Sequence, residues 1–352
     1  MDPLRAGDPS QVGDYRLLGR LGAGGMGQVY LGATPGGRLV AVKVIRAEAT
    51  EDPEYRRRFA REVQAARSVG GFHTAHVVDA APDADPPWMV TAFVPGPSLS
   101  AMVSQDGPLT VAAATALGAA LAEGLMAIHR CGLVHRDLKP GNIIMAADGP
   151  RIIDFGIARP VGASALTERG TLVGTYPYMS PEQFSGAQVT PNSDVFALGC
   201  VLAFAVTGRA PFDGETAYQI MYRVLESAPD LGDVAAGPFR AVVEQCLAKK
   251  PEQRPFLAGV LAAFGAAGPA LVPAVPPVPP APPPEVALPE VAPPEVVRPD
   301  DALPEDAVTG QEPSENNEIV TIAQVANASP GSVVIQIAGN AKIGDGRITL
   351  LR

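Results

Sequence analysis

The sequence predicts an α+β chain with a small strand-rich lobe, a larger helical lobe, a proline-rich linker and a short β-prone tail. Three observations carry this. Apolar and polar residues alternate along YRLLGRL, QVYLGAT and RLVAVKVI before residue 46, the period of half-buried strands. Helical spacing takes over at about 110–130 and again at 190–265, with short strand-like pieces such as NIIM and PRIIDF between. From Gly268 the composition changes abruptly to proline-dense GPALVPAVPPVPPAPPPEVALPEV. The boundaries follow: an N-terminal extension over 1–14, a globular domain over 15–265 (small lobe to about 94, helical lobe from about 95), a disordered Pro/Glu-rich linker over 266–317, and the tail over 318–352.

Bulk properties exclude several classes. A net charge of -10 leaves no basic surface for nucleic acid, whose phosphates need clustered Lys and Arg. Cys131, Cys200 and Cys246 are far apart and odd in number, so they define neither a disulfide framework nor a zinc site; they read as isolated buried thiols of a reducing interior. The opening MDPLRAGDPSQVGDY lacks an apolar run and is not a secretory signal. Residues 256–275 carry no charge over a length that could span a bilayer. Ala and Gly dominate them, however, and prolines interrupt the second half, so they are expected to be a packed helix entering the linker, not a membrane segment.

Within the small lobe, LGAGGMGQVY fits G-x-G-x-x-G at Gly22, Gly24 and Gly27. Such a pattern can open a dinucleotide-binding helix, cap ATP phosphates from a hairpin, or be a plain glycine turn. Strands are predicted on both sides of these glycines, which disposes of the first reading, because a helix would have to follow directly. TPGG then supplies a turn into RLVAVKVI, where Lys43 lies sixteen residues after Gly27. An ammonium among apolar neighbours wants a partner, and Glu62, on the amphipathic helix DPEYRRRFAREVQAARSVG ended by Gly70 and Gly71, is the expected one.

Farther on, VHRDLKPGNIIM holds His135, Arg136, Asp137, Lys139 and Asn142. Seventeen residues after Asp137, IIDFGIA supplies Asp154, Phe155 and Gly156, and GTYPYMSPEQ follows. With LGAGGMGQVY, VAVK, SDVFALGCVL and QRP, these stand in the order found in protein kinases. Over about residues 15–262 the sequence resembles the bacterial eukaryotic-like (Hanks-type) serine/threonine kinases.

The resemblance implies the two-lobed protein kinase fold, ATP and Mg2+ as cofactors with Mn2+ as a substitute, and protein substrates carrying Ser or Thr. It places ATP under Leu21, Gly22, Ala23, Gly24, Gly25, Met26 and Gly27, whose backbone amides approach phosphate where a Cβ would obstruct. Lys43, held by Glu62, would meet the α- and β-phosphates; Val29 and Ala41 would lie above the adenine and Ile144 below it. Thr91 would control the back pocket, while Ala92, Phe93 and Val94 would offer main-chain hydrogen bonds. Ala92 stands where relatives often have Glu, which a main-chain contact tolerates.

Asp137 would orient the substrate hydroxyl and take its proton. Lys139 would neutralise the moving phosphoryl group and, with Thr175, marks Ser/Thr specificity. Asn142 and Asp154 offer oxygen ligands to the metal. Architectural roles are implied for the Glu182–Arg254 ion pair, for Asp194 beneath the catalytic loop, and for His135 as a packed core histidine. Arg136, beside the catalytic carboxylate, would be neutralised by a phosphate on the activation segment, with Thr167 and Thr171 the acceptors and Ser164 behind them, through self-association and autophosphorylation in trans.

The competing class is a kinase-like binding scaffold that has lost its chemistry; such scaffolds lack the lysine or an aspartate, and here Lys43, Asp137, Asn142 and Asp154 are all present. Many relatives carry a membrane helix and an outer sensor after the linker. This sequence shows neither, so a cytoplasmic protein is expected. In the tail, VVIQIAGNAKIGDG resembles amyloid-type assembly motifs but departs at Ala338 and Asn340. Two readings stay open there, homotypic pairing through Val333–Ile337 and a small strand hairpin.

Overall fold

The computed structural model describes residues 1–24, 27–46, 53–154, 176–265, 341–344 and 347–350. The chain divides into Met1–Pro282 and Pro283–Arg352, each described by itself.

Alternating β-branched and polar residues form an antiparallel sheet from β1 (Gln11–Val12), β2 (Tyr15–Gly24), β3 (Gly27–Ala33), β4 (Leu39–Ile45), β5 (Val77–Ala81) and β6 (Trp88–Ala92). Their order is β1-β2-β3-β4-β6-β5, and α1 (Pro53–Arg67) is inserted between β4 and β5. Period-two alternation gives the sheet two distinct faces. Tyr15, Leu17, Tyr30, Val40, Val42 and Val90 pack on the outer face with Leu4, Val12, Val44 and Trp88. Cross-strand pairs Val29–Lys43, Leu31–Ala41 and Ala41–Thr91 put those five residues together on the other face.

The helical lobe contains α2 (Leu99–Asp106), α3 (Val111–Arg130), the hairpin β7 (Ile143–Ala146) and β8 (Gly149–Ile152), then α4 (Pro181–Ser185), α5 (Pro191–Thr207), α6 (Ala217–Glu226), α7 (Pro238–Cys246) and α8 (Leu257–Gly265). Side-chain caps start several of them: Ser98 accepts from the Ala101 amide and Thr110 from that of Ala113. Helix α2 had no counterpart in the sequence reading, because eight residues are too few for a periodicity to register and only the Ser98 cap signals it. Helix α5 starts on a Thr190–Ser193 capping box and ends at Gly208 with φ 74°, and every residue from Ser193 to Ala203 is buried, as befits a helix apolar on all sides.

The uncharged run at 256–275 enters α8, which packs along α3. Gly118 makes this approach possible, since a Cβ there would lie 2.6 Å from the Phe264 ring. Among the described residues one helix, α3, is long and apolar enough to cross a membrane, yet it packs against α5 and α8 and buries one face, including Leu117, Leu121, Leu125 and Ile128. Cys200 and Cys246 are buried as expected and burial pushes both thiols up, Cys246 to about 12, whereas Cys131 is only half-buried at the end of α3.

In the second unit, β9 (Ala341–Gly344) and β10 (Arg347–Leu350) pair antiparallel with Gly344 opposite Arg347. Val333–Ile337 and the linker lie outside the described residues.

Candidate active site

The end of the β2–β3 hairpin presents Leu21, Gly22, Ala23 and Gly24, all exposed, with Gly24 opposite Gly27; Gly25 and Met26 lie outside the described residues. Sequence reasoning gave Gly22, Gly24 and Gly27 one role, and the structure separates them. A Cβ added to Gly22 or Gly24 meets nothing within 4 Å, so their backbone faces open space that a phosphate could take. At Gly27 a Cβ would fall 2.0 Å from the Val44 carbonyl oxygen. Its glycine is demanded by strand packing, a reason separate from phosphate approach.

Lys43 is aimed off the inner face of β4. The expected partner, Glu62 on α1, does not receive it. Lys43 Nζ pairs with Asp154 Oδ1, and Glu62 Oε1 takes Arg136 Nη1 at 2.7 Å instead. The reason is the distribution of charge at the foot of the sheet. Burial pushes the Asp154 carboxyl upward, but the Lys43 ammonium against it outweighs burial and holds it below the usual carboxylate range. Glu62, largely buried itself, then finds its cation in Arg136, the residue the sequence reading left waiting for a phosphate.

The loop between α3 and β7 gathers the remaining groups. Asp137 Oδ2 accepts from Lys139 Nζ at 3.0 Å and from Asn142 Nδ2 at 3.2 Å, and the same Asn142 nitrogen donates to the Asp137 carbonyl at 2.9 Å. Arg136 and Asp154 hold φ of 63° and 58°, left-handed values that cost a side-chain-bearing residue about 1–2 kcal/mol each. Tertiary bonds hold the strain at Arg136. Its amide donates to Asp194 Oδ1 at 2.9 Å, and Asp194 Oδ2 accepts from the His135 amide at 2.8 Å and meets His129 Nε2 at 2.7 Å. Gln183 Nε2 donates to the Arg136 carbonyl at 3.0 Å. His135 is fully buried; desolvation lowers its pKa despite Asp194, Asp137 and Asp154 nearby, so a neutral ring fits the contact of its Nε2 with the Ile153 carbonyl at 3.2 Å.

Val29, Ala41, Thr91 and Ile144 are each half-buried, the first three on the inner sheet face and Ile144 on β7. The Ala92 amide donates to the His76 carbonyl at 2.9 Å, which occupies that donor but not the Ala92 carbonyl; Phe93 and Val94 lie beyond the end of β6. Gly96 follows at φ 143°, where a Cβ would lie 2.5 Å from the Met145 carbonyl oxygen; it fixes how closely this connection approaches β7. Sequence reasoning missed Gly96, His129 and Gln183. Only Gly96 carries a local signal, lying between two prolines; His129 and Gln183 act on partners 65 and 47 residues away.

Beneath the loop, Glu182 and Arg254 meet in a buried bidentate pair, Nη1–Oε1 2.7 Å and Nη2–Oε2 2.8 Å. Ser193 Oγ adds a bond to Glu182 at 2.6 Å, and the carbonyls of Ala248, Asn192 and Lys249 take the other Arg254 donors. Thr167, Thr171, Ser164 and Thr175 lie outside the described residues.

Protein kinases use ATP with a divalent metal, and the residues fit both. No cluster of three His, Cys, Asp or Glu side chains able to hold an ion exists among the described residues. Asp154 and the Asn142 side-chain oxygen nevertheless offer hard-oxygen donors of the kind that hold Mg2+ when phosphate and water complete the shell. The uncrowded Gly22 and Gly24 provide the matching cradle.

Comparison with known proteins agrees with this arrangement. Residues 15–263 match the protein kinase domain family. The chain is 56% identical over 262 residues to the probable serine/threonine-protein kinase PkwA of Thermomonospora curvata, covering 74% of this chain and 35% of that protein. It is 48% identical over 256 residues to the serine/threonine-protein kinase AfsK of Streptomyces coelicolor, covering 72% and 32%. The chain thus spans about a third of the length of these relatives. The crystal structure of the Mycobacterium tuberculosis PknI kinase domain superposes with a TM-score of 0.59 at 27% identity, over 75% of this chain and all of that one. With its strand-rich lobe, helical lobe and ordered loop motifs, the chain belongs to the bacterial Hanks-type serine/threonine protein kinases.

Proposed function

We propose that the domain is an active kinase that transfers the γ-phosphoryl group of ATP to serine and threonine hydroxyls of proteins. One observation carries the reading: the Asp137 carboxylate is held by Lys139 and Asn142, Asp154 is held by Lys43, and Lys139 lies near enough to help lower the Asp154 carboxyl, so the two charged groups share one site. Phosphoryl transfer asks a protein mainly to position groups and neutralise charge.

Asp137 Oδ2, held by Lys139 and Asn142, is fixed to orient a hydroxyl and accept its proton. Lys139 Nζ, 3.0 Å from that oxygen, is placed to follow charge from the carboxylate to the moving phosphoryl group. Lys43 would exchange its carboxylate partner for α- and β-phosphate oxygens, leaving Asp154 and Asn142 to ligate Mg2+ or Mn2+. The metal's contribution is to neutralise phosphate charge. Val29, Ala41 and Ile144 would enclose adenine, with Thr91 behind it and main-chain bonds from Phe93 and Val94. Incubation with labelled ATP, Mg2+ and a generic protein substrate tests this directly. Label transfer by the parent that falls at least about 1,000-fold in Asp137→Ala supports it, and equal labelling by both ends it.

Autophosphorylation in trans at Thr171 or Thr167 belongs to the same reading; a phosphate there would compete with Glu62 for Arg136. Phosphopeptide mapping of active protein that found both threonines bare would remove it. A cytoplasmic setting is supported by the scattered, unpaired cysteines, and a spacer role for 266–317 by its prolines.

A further inference from the structure

The segment before Tyr15 lies outside the matched kinase domain, yet it is built into the small lobe. Asp2 and Arg20 exchange both backbone hydrogen bonds, at 3.0 and 2.8 Å, and the Ser10 carbonyl accepts from the Leu17 amide at 2.9 Å. Strand β1 continues the sheet, with Gln11 opposite Arg16 and Val12 opposite Tyr15. Leu4 and Val12 cover the outer apolar face, and Gly13 lies so close to Trp88 that a Cβ would stand 2.8 Å from its ring.

Asp8 is the centre of this strap. Its side chain is 4% exposed and its carboxylate accepts four hydrogen bonds: Arg20 Nε at 2.7 Å, Arg20 Nη2 at 2.5 Å, the Tyr30 hydroxyl at 2.9 Å and the Arg5 amide at 2.7 Å. Arg20 on β2 and Tyr30 on β3 are directly opposite each other, so one carboxylate ties both strands of the hairpin at a single register position. The next pair toward the tip is Gly22–Val29, and the register shifts between the two. The strand end from Leu21 to Gly24 is exposed. Closer to the tip Gln28 Nε2 donates to the Gly22 and Val29 carbonyls; the Asp8 clamp is the charged tie that anchors the base of the stretch that would close on phosphate.

We propose that Asp8 is a positioning residue for nucleotide, setting the angle of the glycine hairpin from the outer face of the sheet through Arg20 and Tyr30. The inference rests on the kinase reading above. A bulged ribbon without this clamp samples more orientations, so the cost falls on nucleotide capture and not on the phosphoryl step. A strap that merely stabilised the lobe would lower every parameter together.

The test uses the full chain carrying Asp8→Asn or Tyr30→Phe. Asp148→Asn serves as control; it breaks the exposed pair with Arg151 at the β7–β8 turn. For Asp8→Asn the expected result is a KM for ATP raised about 3- to 10-fold, with kcat and the KM for the protein substrate within about 2-fold of the parent. Tyr30→Phe should move the same way by less, and the control not at all. Amide exchange at Arg20 and Gly22, read without nucleotide, should quicken in both variants. An unchanged KM for ATP, or parallel loss of kcat, both KM values and melting temperature, overturns the proposal. Should Asp8→Asn fail to fold, Tyr30→Phe decides by the same split. If the parent transfers no phosphate, the kinase reading falls separately, and the exchange rates still decide whether the clamp steadies the hairpin.

Discussion

Replacing Asp194 with asparagine tests how the catalytic loop is held. Asp194, buried in the first turn of α5, offers one oxygen to the Arg136 amide and the other to the His135 amide and His129. Asparagine keeps the shape but converts one acceptor into a donor, so whichever way the amide turns, at least one buried N–H faces another N–H. A hydrogen bond to a charged acceptor contributes about 1.5–3 kcal/mol, and the strained backbone at Arg136 adds about 1–2 kcal/mol that this bond now restrains. If about 2–3 kcal/mol appears as misplacement of Asp137, kcat falls about 30- to 150-fold. The KM for ATP should stay within about 3-fold, because Asp194 bonds none of the nucleotide-facing groups. Steady-state phosphorylation well below the variant's melting temperature provides the assay. A kcat within about 3-fold of the parent would show that the loop keeps its geometry without the carboxylate, refuting the argument.

Three other outcomes follow from the same geometry. Gly22→Ala and Gly24→Ala should fold normally and raise the KM for ATP, whereas Gly27→Ala should lose thermal stability, by about 2 kcal/mol or more, because its methyl meets the Val44 carbonyl. Asp154→Asn should raise the Mg2+ concentration for half-maximal rate at least about 10-fold, and a chelator should abolish transfer by the parent until Mg2+ or Mn2+ is restored. Arg254→Ala should cost about 3–5 kcal/mol at pH 7 in chemical unfolding by stranding Glu182. Burial raises the Glu182 carboxyl, but Arg254 and Ser193 win and hold it below its usual 4.5. The pair's contribution is therefore complete above that pH and is lost below it as pH falls through the lowered folded-state value, so the deficit of the variant should narrow in acid; a constant gap would contradict this.

How much of this was legible depends on whether a residue acts locally. The strands carrying Lys43 and the glycines announce themselves by alternation, and β7 and β8 form where NIIM and PRIIDF stand. Asp137, Lys139 and Asn142 lie within six residues, so their convergence needs little more than a tight loop. Pairing choices are another matter. Glu62 had two cations to choose from, Lys43 and Arg136, and sequence spacing assigned the wrong one because the outcome depends on how α1 sits against the loop. The Gly27 role was hidden for a similar reason: only the packed sheet reveals that Val44 occupies the place of its Cβ. Asp8 was invisible as well, its partners lying 12 and 22 residues downstream on different strands.

The charges divide by how completely they are satisfied. In the helical lobe, Arg254 donates all of its N–H groups and stacks on Phe196, and Asp194 accepts three times, so neither can move without breaking several bonds. At the foot of the sheet the pairing is thin. Among the described residues, Lys43 meets Asp154 through one contact with both side chains partly exposed, and the buried Glu62 Oε2 has no hydrogen-bond partner. Buried polar atoms left unpaired cost about 1–3 kcal/mol each. On the proposed reading, a site that must admit a polyanion gains from that contrast: Lys43 would have one carboxylate to leave for phosphate, while Asp137, the proposed proton acceptor, is braced from a scaffold whose own charges are already paired.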